Sequence, residues 1–452
     1  MGNGGGDYIG SSFNTQNLSF ASSIGLDIPD GQWHSGEDVY STSAIGNISI
    51  AWIQHVVKQD PNRPFFAYVA PKAAHEPFNP APWYRTHWDD SWPVSEPRNN
   101  PAWNCSAEAR KDHHGNIATQ PMLSAQVAVV ISDIFKNRWR TLMSVDDAIA
   151  GVIGAVEELG LAENTYFFYS SDHGFQLGEF NIPMDKRQPY DWDTRIHLLA
   201  RGPGIKPGTT WGQPATQVDM APTFLGLAGI AKPATMDGKS LVPLLMPDAF
   251  AAAGGSPPSP SSSSVAVPVA PVAASTAAHL SERLAAMGSA GAAQYAVGWR
   301  TAAFIEHYFV APNDKCVKGT ASNPCHPKTA GAEYPHVDTW CGDLTPGAAA
   351  ACWALYGCVD DCYRTETPAN NFIVLRSMPG SEFGDTAYME FQTGNQDTED
   401  VDFATPDFFE LYDTAADPWM MKNKYSATPA ATLAAMHAKL REFASCAGDA
   451  CP

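Results

Sequence analysis

The chain has 452 residues, more than one domain ordinarily takes but within reach of a large α/β core with a smaller appendage. Its formal net charge of -20, with only 28 Lys and Arg, excludes a nucleic-acid binder, which needs clustered cations for phosphates. The acidic field also repels polyanions, so an anionic substrate must be met by a local cluster of cations or by a metal. No apolar stretch is long enough to span a bilayer.

In chain order, Ile45, Ile48, Trp52 and Val56 fall on one helical face, with Ser41, Thr42 and Ser43 as candidate caps, and the apolar run at 64–70 reads as a buried strand. Leu142, Val145, Ile149, Val152, Val156 and Leu159 repeat at helical spacing up to Gly160, and 165–170 follows as a second strand. A third strand is predicted at 196–200, and Asp219 caps a helix with Pro222 in its first turn and Leu225 and Leu227 near its end. Alternating helices and continuously apolar strands predict an α/β fold with a mostly parallel sheet covered on both faces by helices.

From about Asp248 the composition turns to Ala, Gly, Pro and Ser, too poor in apolar surface to order itself. Beyond it, strands are predicted at 299–310, 372–376, 387–391 and 408–412, and a helix at 428–443. Strands grouped before one helix predict a smaller α+β subdomain with an antiparallel sheet. The expected divisions are an α/β domain at 1–248, a low-complexity insertion at 249–295 and the subdomain at 296–452.

Six of the nine cysteines lie between Cys316 and Cys362, two are Cys446 and Cys451, and Cys105 stands alone. The pattern predicts a disulfide-stapled C-terminal region, against a zinc site from Cys352, Cys358 and Cys362 that would lack paired Cys-x2-Cys knuckles. Sequons at Asn17, Asn47 and Asn104 are compatible with secretion. Met1 is followed by a Gly-rich stretch rather than a charged and then apolar leader, so the natural N-terminus is expected upstream. The alternative is an intracellular protein with reduced cysteines.

The chemistry concentrates in residues 169–188. Asp172 and His173 directly follow a predicted strand, at the end where open α/β sheets place ligands, and a carboxylate with an imidazole can bind a divalent cation. The plainer reading makes Asp172 a loop cap and His173 a satisfied histidine. Lys186, Arg187 and Arg195 follow, suited to an anionic group or else simply solvated.

The stretch from Tyr169-Ser-Ser-Asp-His-Gly to Arg201-Gly-Pro-Gly-Ile resembles the sulfatase family, notably its N-acetylglucosamine-6-sulfatase and heparan endosulfatase branch and the algal arylsulfatases. Arg63-Pro-Phe-Phe-Ala-Tyr-Val-Ala-Pro-Lys-Ala-Ala-His-Glu-Pro-Phe, Arg138-Trp-Arg-Thr-Leu-Met-Ser-Val-Asp-Asp, Val218-Asp-Met-Ala-Pro-Thr-Phe and Glu410-Leu-Tyr-Asp-Thr carry the resemblance further, over roughly residues 40–248 and 296–451. It implies an alkaline-phosphatase-like fold and hydrolysis of a sulfated sugar or aryl sulfate with one calcium ion, in a secreted, extracellular or lysosome-like setting. Asp172 and His173 match the family's second pair of metal ligands, Lys186 the lysine that contacts the sulfate, and His75 the histidine beside the leaving group. Cys446 and Cys451 resemble its disulfide-closed tail. A cation and a proton source at the departing oxygen, with a metal neutralising charge, are what S–O cleavage requires.

Two departures stand out. Gln176 occupies a position where the related branch usually has a second histidine, and the nucleophile signature Cys-x-Pro-x-Arg, whose cysteine becomes formylglycine, does not occur. Cys105 lacks the proline and has its arginine one residue late, and Cys325-His-Pro-Lys-Thr lacks the arginine. The formylglycine and the first metal-binding Asp pair are therefore expected ahead of Met1, and these residues alone are expected to be inactive. Competing readings are a non-catalytic relative that binds sulfated glycans and a phosphodiesterase of the alkaline-phosphatase superfamily.

Overall fold

The computed structural model describes residues 8–9, 12–15, 31–34, 39–75, 78–87, 99–123, 125–246, 299–309, 367–396 and 401–452. The low-complexity insertion at 249–295 and the cysteines from Cys316 to Cys362, the candidate zinc trio included, lie outside the described residues.

A hairpin-like pair, β1 (Ser12–Thr15) and β2 (Gly31–His34), precedes helix α1 (Ser41–Gln59). The expected serine and threonine caps are not caps: Tyr40 holds the N-cap position without a side-chain bond, and Ser41 and Thr42 are buried in the first turn. Helix α2 (Ala125–Glu158) starts well before the periodic stretch that announced it and stops just ahead of Gly160, whose φ of 70° suits glycine at a helix end. The two helices touch through small residues. A Cβ at Gly46 would stand 3.0 Å from the Ala148 Cβ, and one at Gly151 would stand 3.0 Å from Ile50 Cδ1.

The run at 64–70 is not a strand. No described strand lies beside it to take its backbone groups, Phe66 and Tyr68 are mostly exposed, and Phe65 packs its ring on Trp52 and Phe66 on Phe224. Strand β3 (Phe167–Ser170) pairs with β4 (Leu198–Arg201), each beginning two residues later than the sequence suggests. Their pairing is antiparallel, as is every strand pair among the described residues. Helix α3 (Met220–Leu227) packs Phe224 on Phe168. It is preceded by a 3-10 turn in which Asp219 and Thr216 form a capping box, with Asp219 also paired to Arg300.

The C-terminal sheet has the predicted antiparallel form, in the order β5 (Ala302–His307), β6 (Phe372–Ser377), β7 (Thr386–Phe391), β8 (Phe408–Asp413). Period-two alternation sends Ile373, Leu375, Tyr388 and Leu411 to one face, where Met436, Leu440 and Phe443 of α4 (Ala430–Ser445) cover them. Phe372, Val374, Met389, Phe391 and Tyr412 face the other way, onto Ala102, Ile117, Phe180, Ile182 and Tyr190. Each large apolar side chain so buried contributes roughly 1.5–3 kcal/mol, so this sheet forms the floor under residues 177–192. The tail closes with Cys446 bonded to Cys451, and Gly448 lies against Ala234, whose carbonyl oxygen would be 2.1 Å from an added Cβ.

Candidate functional site

Asp172 and His173 leave the end of β3 on the surface. Asp172 is largely exposed, its carboxylate 3.2 Å from His173 Nε2. His173 Nδ1 lies 2.7 Å from the Gly174 carbonyl oxygen, which orients the ring. A ring fixed through its other nitrogen is how metal-binding histidines are oriented. The backbone beneath is fixed by Gln217, whose side-chain amide donates to the carbonyls of Ser171 and Asp172. These two donors fit a hard divalent ion in type. They fall short of the six to eight ligands that calcium takes, and no group of three or more His, Cys, Asp or Glu able to hold a metal occurs among the described residues.

From His173 the chain enters a doubled-back loop. Gly174 N and Phe175 N donate to the Asp193 and Trp192 carbonyls, and Gln176 N donates to Asp185 O at 2.8 Å. Gly174 is required for that approach, since a Cβ there would stand 1.8 Å from Trp192 O. Asp172, His173 and Lys186 are thus on facing arms of one backbone-bonded unit.

Lys186 is mostly buried. Its Nζ lies 3.4 Å from Asp185 Oδ1 and 5.8 Å from the centre of the Phe175 ring, while Arg187 Nη1 holds Asp185 Oδ2 at 2.7 Å. The flanking residues Asp185 and Arg187 both have positive φ, 125° and 80°, an uncommon conformation outside glycine that persists where the surroundings impose it. Three contacts do so: Gln176 N on the Asp185 carbonyl, Asn370 Nδ2 on the Arg187 carbonyl at 2.6 Å, and the buried Asp193 carboxylate on Gln188 N at 2.7 Å. Asp193 also accepts from Gln176 Nε2 at 3.3 Å, which makes the residue in place of the expected histidine a fully buried brace. Burial, with the nearby Asp185 charge, pushes the Asp193 carboxyl well above the usual carboxylate range.

His75 sits in a turn, its backbone N–H on Lys72 O and its carbonyl accepting from Tyr8 Oη at 2.9 Å. Arg138 of α2 ties this turn to the lysine loop. Its guanidinium donates to Ala74 O at 2.6 Å and lies 4.0 Å from the Phe175 ring centre and 5.6 Å from that of Phe78, and the two rings meet edge to face. Phe175 therefore has Arg138 and Lys186 as neighbours and joins the two segments that carry His75 and Lys186.

Beneath lies a polar knot. Glu410, fully buried on β8, accepts from His114 N at 2.6 Å, Tyr412 Oη at 2.9 Å and Tyr190 Oη at 3.1 Å, and burial raises its carboxyl. Burial likewise holds His114 down to about 3, while for His113 the bond to Asp112 and the Glu410 charge outweigh burial and raise it. Cys105 is buried, with Arg110 bonded to its carbonyl and 3.9 Å from its Sγ, and burial pushes its thiol up. Sequence reasoning missed the supporting residues Arg138, Asp193 and Asn370. Arg138 stood only inside a resembling stretch, and an Asp or Asn that braces a distant loop leaves no local pattern.

The family described as Sulfatase matches residues 8–230. The chain is 27% identical over 414 residues to the N-acetylglucosamine-6-sulfatases of Capra hircus and Homo sapiens, covering 91% of this chain and 56% and 57% of theirs. It thus spans little more than half the length of these curated relatives. The "Extracellular sulfatase SULF-1 homolog" of Drosophila melanogaster is 33% identical over 214 residues, 46% of this chain and 18% of that protein. Among solved structures, BT4656 in complex with D-glucosamine-2-N,6-O-disulfate superposes with a TM-score of 0.56 at 19% identity, covering 97% of this chain and 74% of that one. The phosphonate monoester hydrolase of Agrobacterium radiobacter reaches a TM-score of 0.50 at 20% identity, covering 89% and 62%. Those likenesses give the α/β fold of the alkaline-phosphatase-like sulfatases, and residues 8–230 match the sulfatase family.

Proposed function

We propose that the protein hydrolyses sulfate esters, with a sulfated amino sugar or related sulfated carbohydrate as substrate and an aryl sulfate as a simpler surrogate. The observation that carries this reading is the Arg138–Phe78–Phe175 junction, which holds the His75 turn against the loop bearing Lys186. In this reading Lys186 takes a sulfate oxygen and the bridging oxygen, stabilising the charge that develops as the S–O bond breaks. His75 supplies a proton to the departing oxygen. Asp172 and His173 contribute two of the donors to a divalent cation, calcium by analogy with the family, which when bound would neutralise sulfate charge. No nucleophilic step is assigned to Cys105, whose thiol is buried and held protonated. The setting that fits the disulfide-bonded tail is a secreted or lysosome-like one.

A second reading is a relative that binds sulfated glycans without cleaving them. It keeps Lys186 and His75 as anion contacts. Sulfate release from N-acetylglucosamine-6-sulfate and 4-nitrophenyl sulfate by a form of the protein that carries a Cys-x-Pro-x-Arg segment, beside a phosphonate monoester and with calcium present, separates the possibilities. Lys186→Ala is expected to lower sulfate release by about a hundredfold or more. Binding without release supports the second reading, faster phosphonate cleavage favours phosphorus chemistry, and an unchanged rate in Lys186→Ala removes that residue from the site.

A further inference from the structure

Lys186 lies beside a carboxylate that has a better partner. The Asp185 side chain is 1% exposed, and its Oδ2 is held by Arg187 at 2.7 Å, a charge-assisted hydrogen bond of full strength. Its Oδ1 is 3.4 Å from Lys186 Nζ, beyond the usual length of such a bond. If Lys186 were the sole counterion of a buried carboxylate, drawing its ammonium toward another anion would strand that carboxylate, an expensive state. Arg187 removes this obstacle, because it stays on Asp185 whatever Lys186 does. The ammonium keeps its orientation from Asp185 and the Phe175 ring while remaining available to an incoming oxyanion.

We propose that Asp185 and Arg187 are a positioning pair for Lys186: Asp185 aims the ammonium, and Arg187 holds the Asp185 charge so that Lys186 can be shared with a sulfate group. This rests on the reading of Lys186 as the sulfate contact. It assigns Arg187 no contact with substrate, in contrast to the view of Lys186 and Arg187 as two equivalent surface cations. The two residues have distinct signatures. Without Arg187, Asp185 competes with sulfate for Lys186; without both, the competition disappears.

The test uses the full 452-residue chain and inorganic sulfate as probe, at ionic strength held constant with chloride. Lysines are acetylated with an N-hydroxysuccinimide ester, and the rate at Lys186 is followed by peptide mass spectrometry with increasing sulfate. Sulfate is expected to protect Lys186 in the native chain. Arg187→Met is expected to raise the sulfate needed for half-protection by at least about tenfold, as for a buried charge left to one partner. Arg187→Lys should stay within about threefold, because it retains the charge but not the planar fork. The double variant Asp185→Asn/Arg187→Met should need less sulfate than Arg187→Met, a rescue that a purely structural role for Arg187 does not produce. Equal protection in the native chain and Arg187→Met, or no rescue in the double variant, overturns the proposal while leaving the site reading intact. No protection of Lys186 in the native chain defeats the site reading itself, and the proposal with it. Should Arg187→Met fail to fold by circular dichroism, Asp185→Asn alone carries the test: half-protection at higher sulfate, as for an ammonium that has lost its aim, supports the proposal, and unchanged or stronger protection overturns it.

Discussion

Replacing Asn370 tests whether the C-terminal sheet sets the geometry of the lysine loop. Asn370 is fully buried and gives its Nδ2 to the Arg187 carbonyl at 2.6 Å, where the Arg187 backbone is held at a φ of 80°. In Asn370→Ala that carbonyl loses this donor, a cost of roughly 1–3 kcal/mol for a buried acceptor. Part is offset, because Asn370 Oδ1 is itself buried without a partner and the alanine removes it. A net loss of about 1–2 kcal/mol follows. Asn370→Asp keeps the size but sets a carboxylate oxygen against the carbonyl, so it should cost more than the alanine, by about 1 kcal/mol or more. Urea denaturation gives both values, provided the m-value is unchanged, and the sulfate protection of Lys186 gives the local effect. An aspartate variant as stable as the alanine one, or both within about 0.5 kcal/mol of the native chain, would refute the reasoning.

Three further outcomes are expected. The Asp193 carboxyl is raised by burial, so its folded form binds a proton that the unfolded chain releases; the associated stability is fully present below the ordinary carboxylate range and is lost as pH rises through the elevated folded value. Asp193→Asn removes this contribution, and its unfolding free energy should fall less between pH 5 and pH 8 than that of the native chain, by roughly a kcal/mol or more. A parallel fall in both proteins would contradict the assignment. Gly174→Ala places a Cβ 1.8 Å from Trp192 O and should cost more than about 3 kcal/mol or abolish cooperative unfolding, whereas a melting curve like the native one would show that the loop has room. Non-reducing peptide mapping should recover Cys446 and Cys451 in one linked fragment, and two free thiols would contradict the closed tail.

The parts of this molecule that could be read from sequence are those whose signal is local. Helix α1, the four strands of the C-terminal sheet and its final helix all follow from side-chain period, and their observed bounds lie within three residues of the expected ones, although α1 buries Gly46, Ile53 and Val57 and leaves Ile45, Ile48, Trp52 and Val56 half-buried. The run at 64–70 shows where that signal stops. Apolar residues with high strand propensity make a strand only when a neighbour accepts their backbone groups, and none of the described strands does so. Strand direction was equally illegible, since alternation of helices and strands argues for parallel pairing in general but does not say which strand lies beside which. Ser41 and Thr42 illustrate the same limit on a smaller scale. Cap residues by type, they are buried in the helix because Tyr40 stacks on Tyr8 and begins the helix one step earlier.

The site itself divides along that line. Asp172, His173 and Lys186 are candidates drawn from one short stretch, and the structure keeps them on one backbone-bonded loop. What shapes them comes from sequence positions that no pattern connects: Arg138 on α2 and Asn370 at the head of β6, with Glu410 on β8 under Tyr190. Tyr190 lies two residues past Gln188, whose N–H the Asp193 carboxylate accepts, and its hydroxyl is bound on β8, so the floor of the sheet and the lysine loop share one stretch of chain. A two-sided sheet is suited to this use. Helix α4 takes the face carrying Ile373 and Leu375, which frees the face carrying Phe372, Val374 and Met389 to support residues 180–190, so the rigidity of four hydrogen-bonded strands is passed to a loop with four residues at positive φ. Lys186 therefore owes its position as much to the C-terminal sheet as to the strand it follows, and a change on the sheet face beneath Tyr190 should disturb that lysine before it disturbs Asp172 or His173.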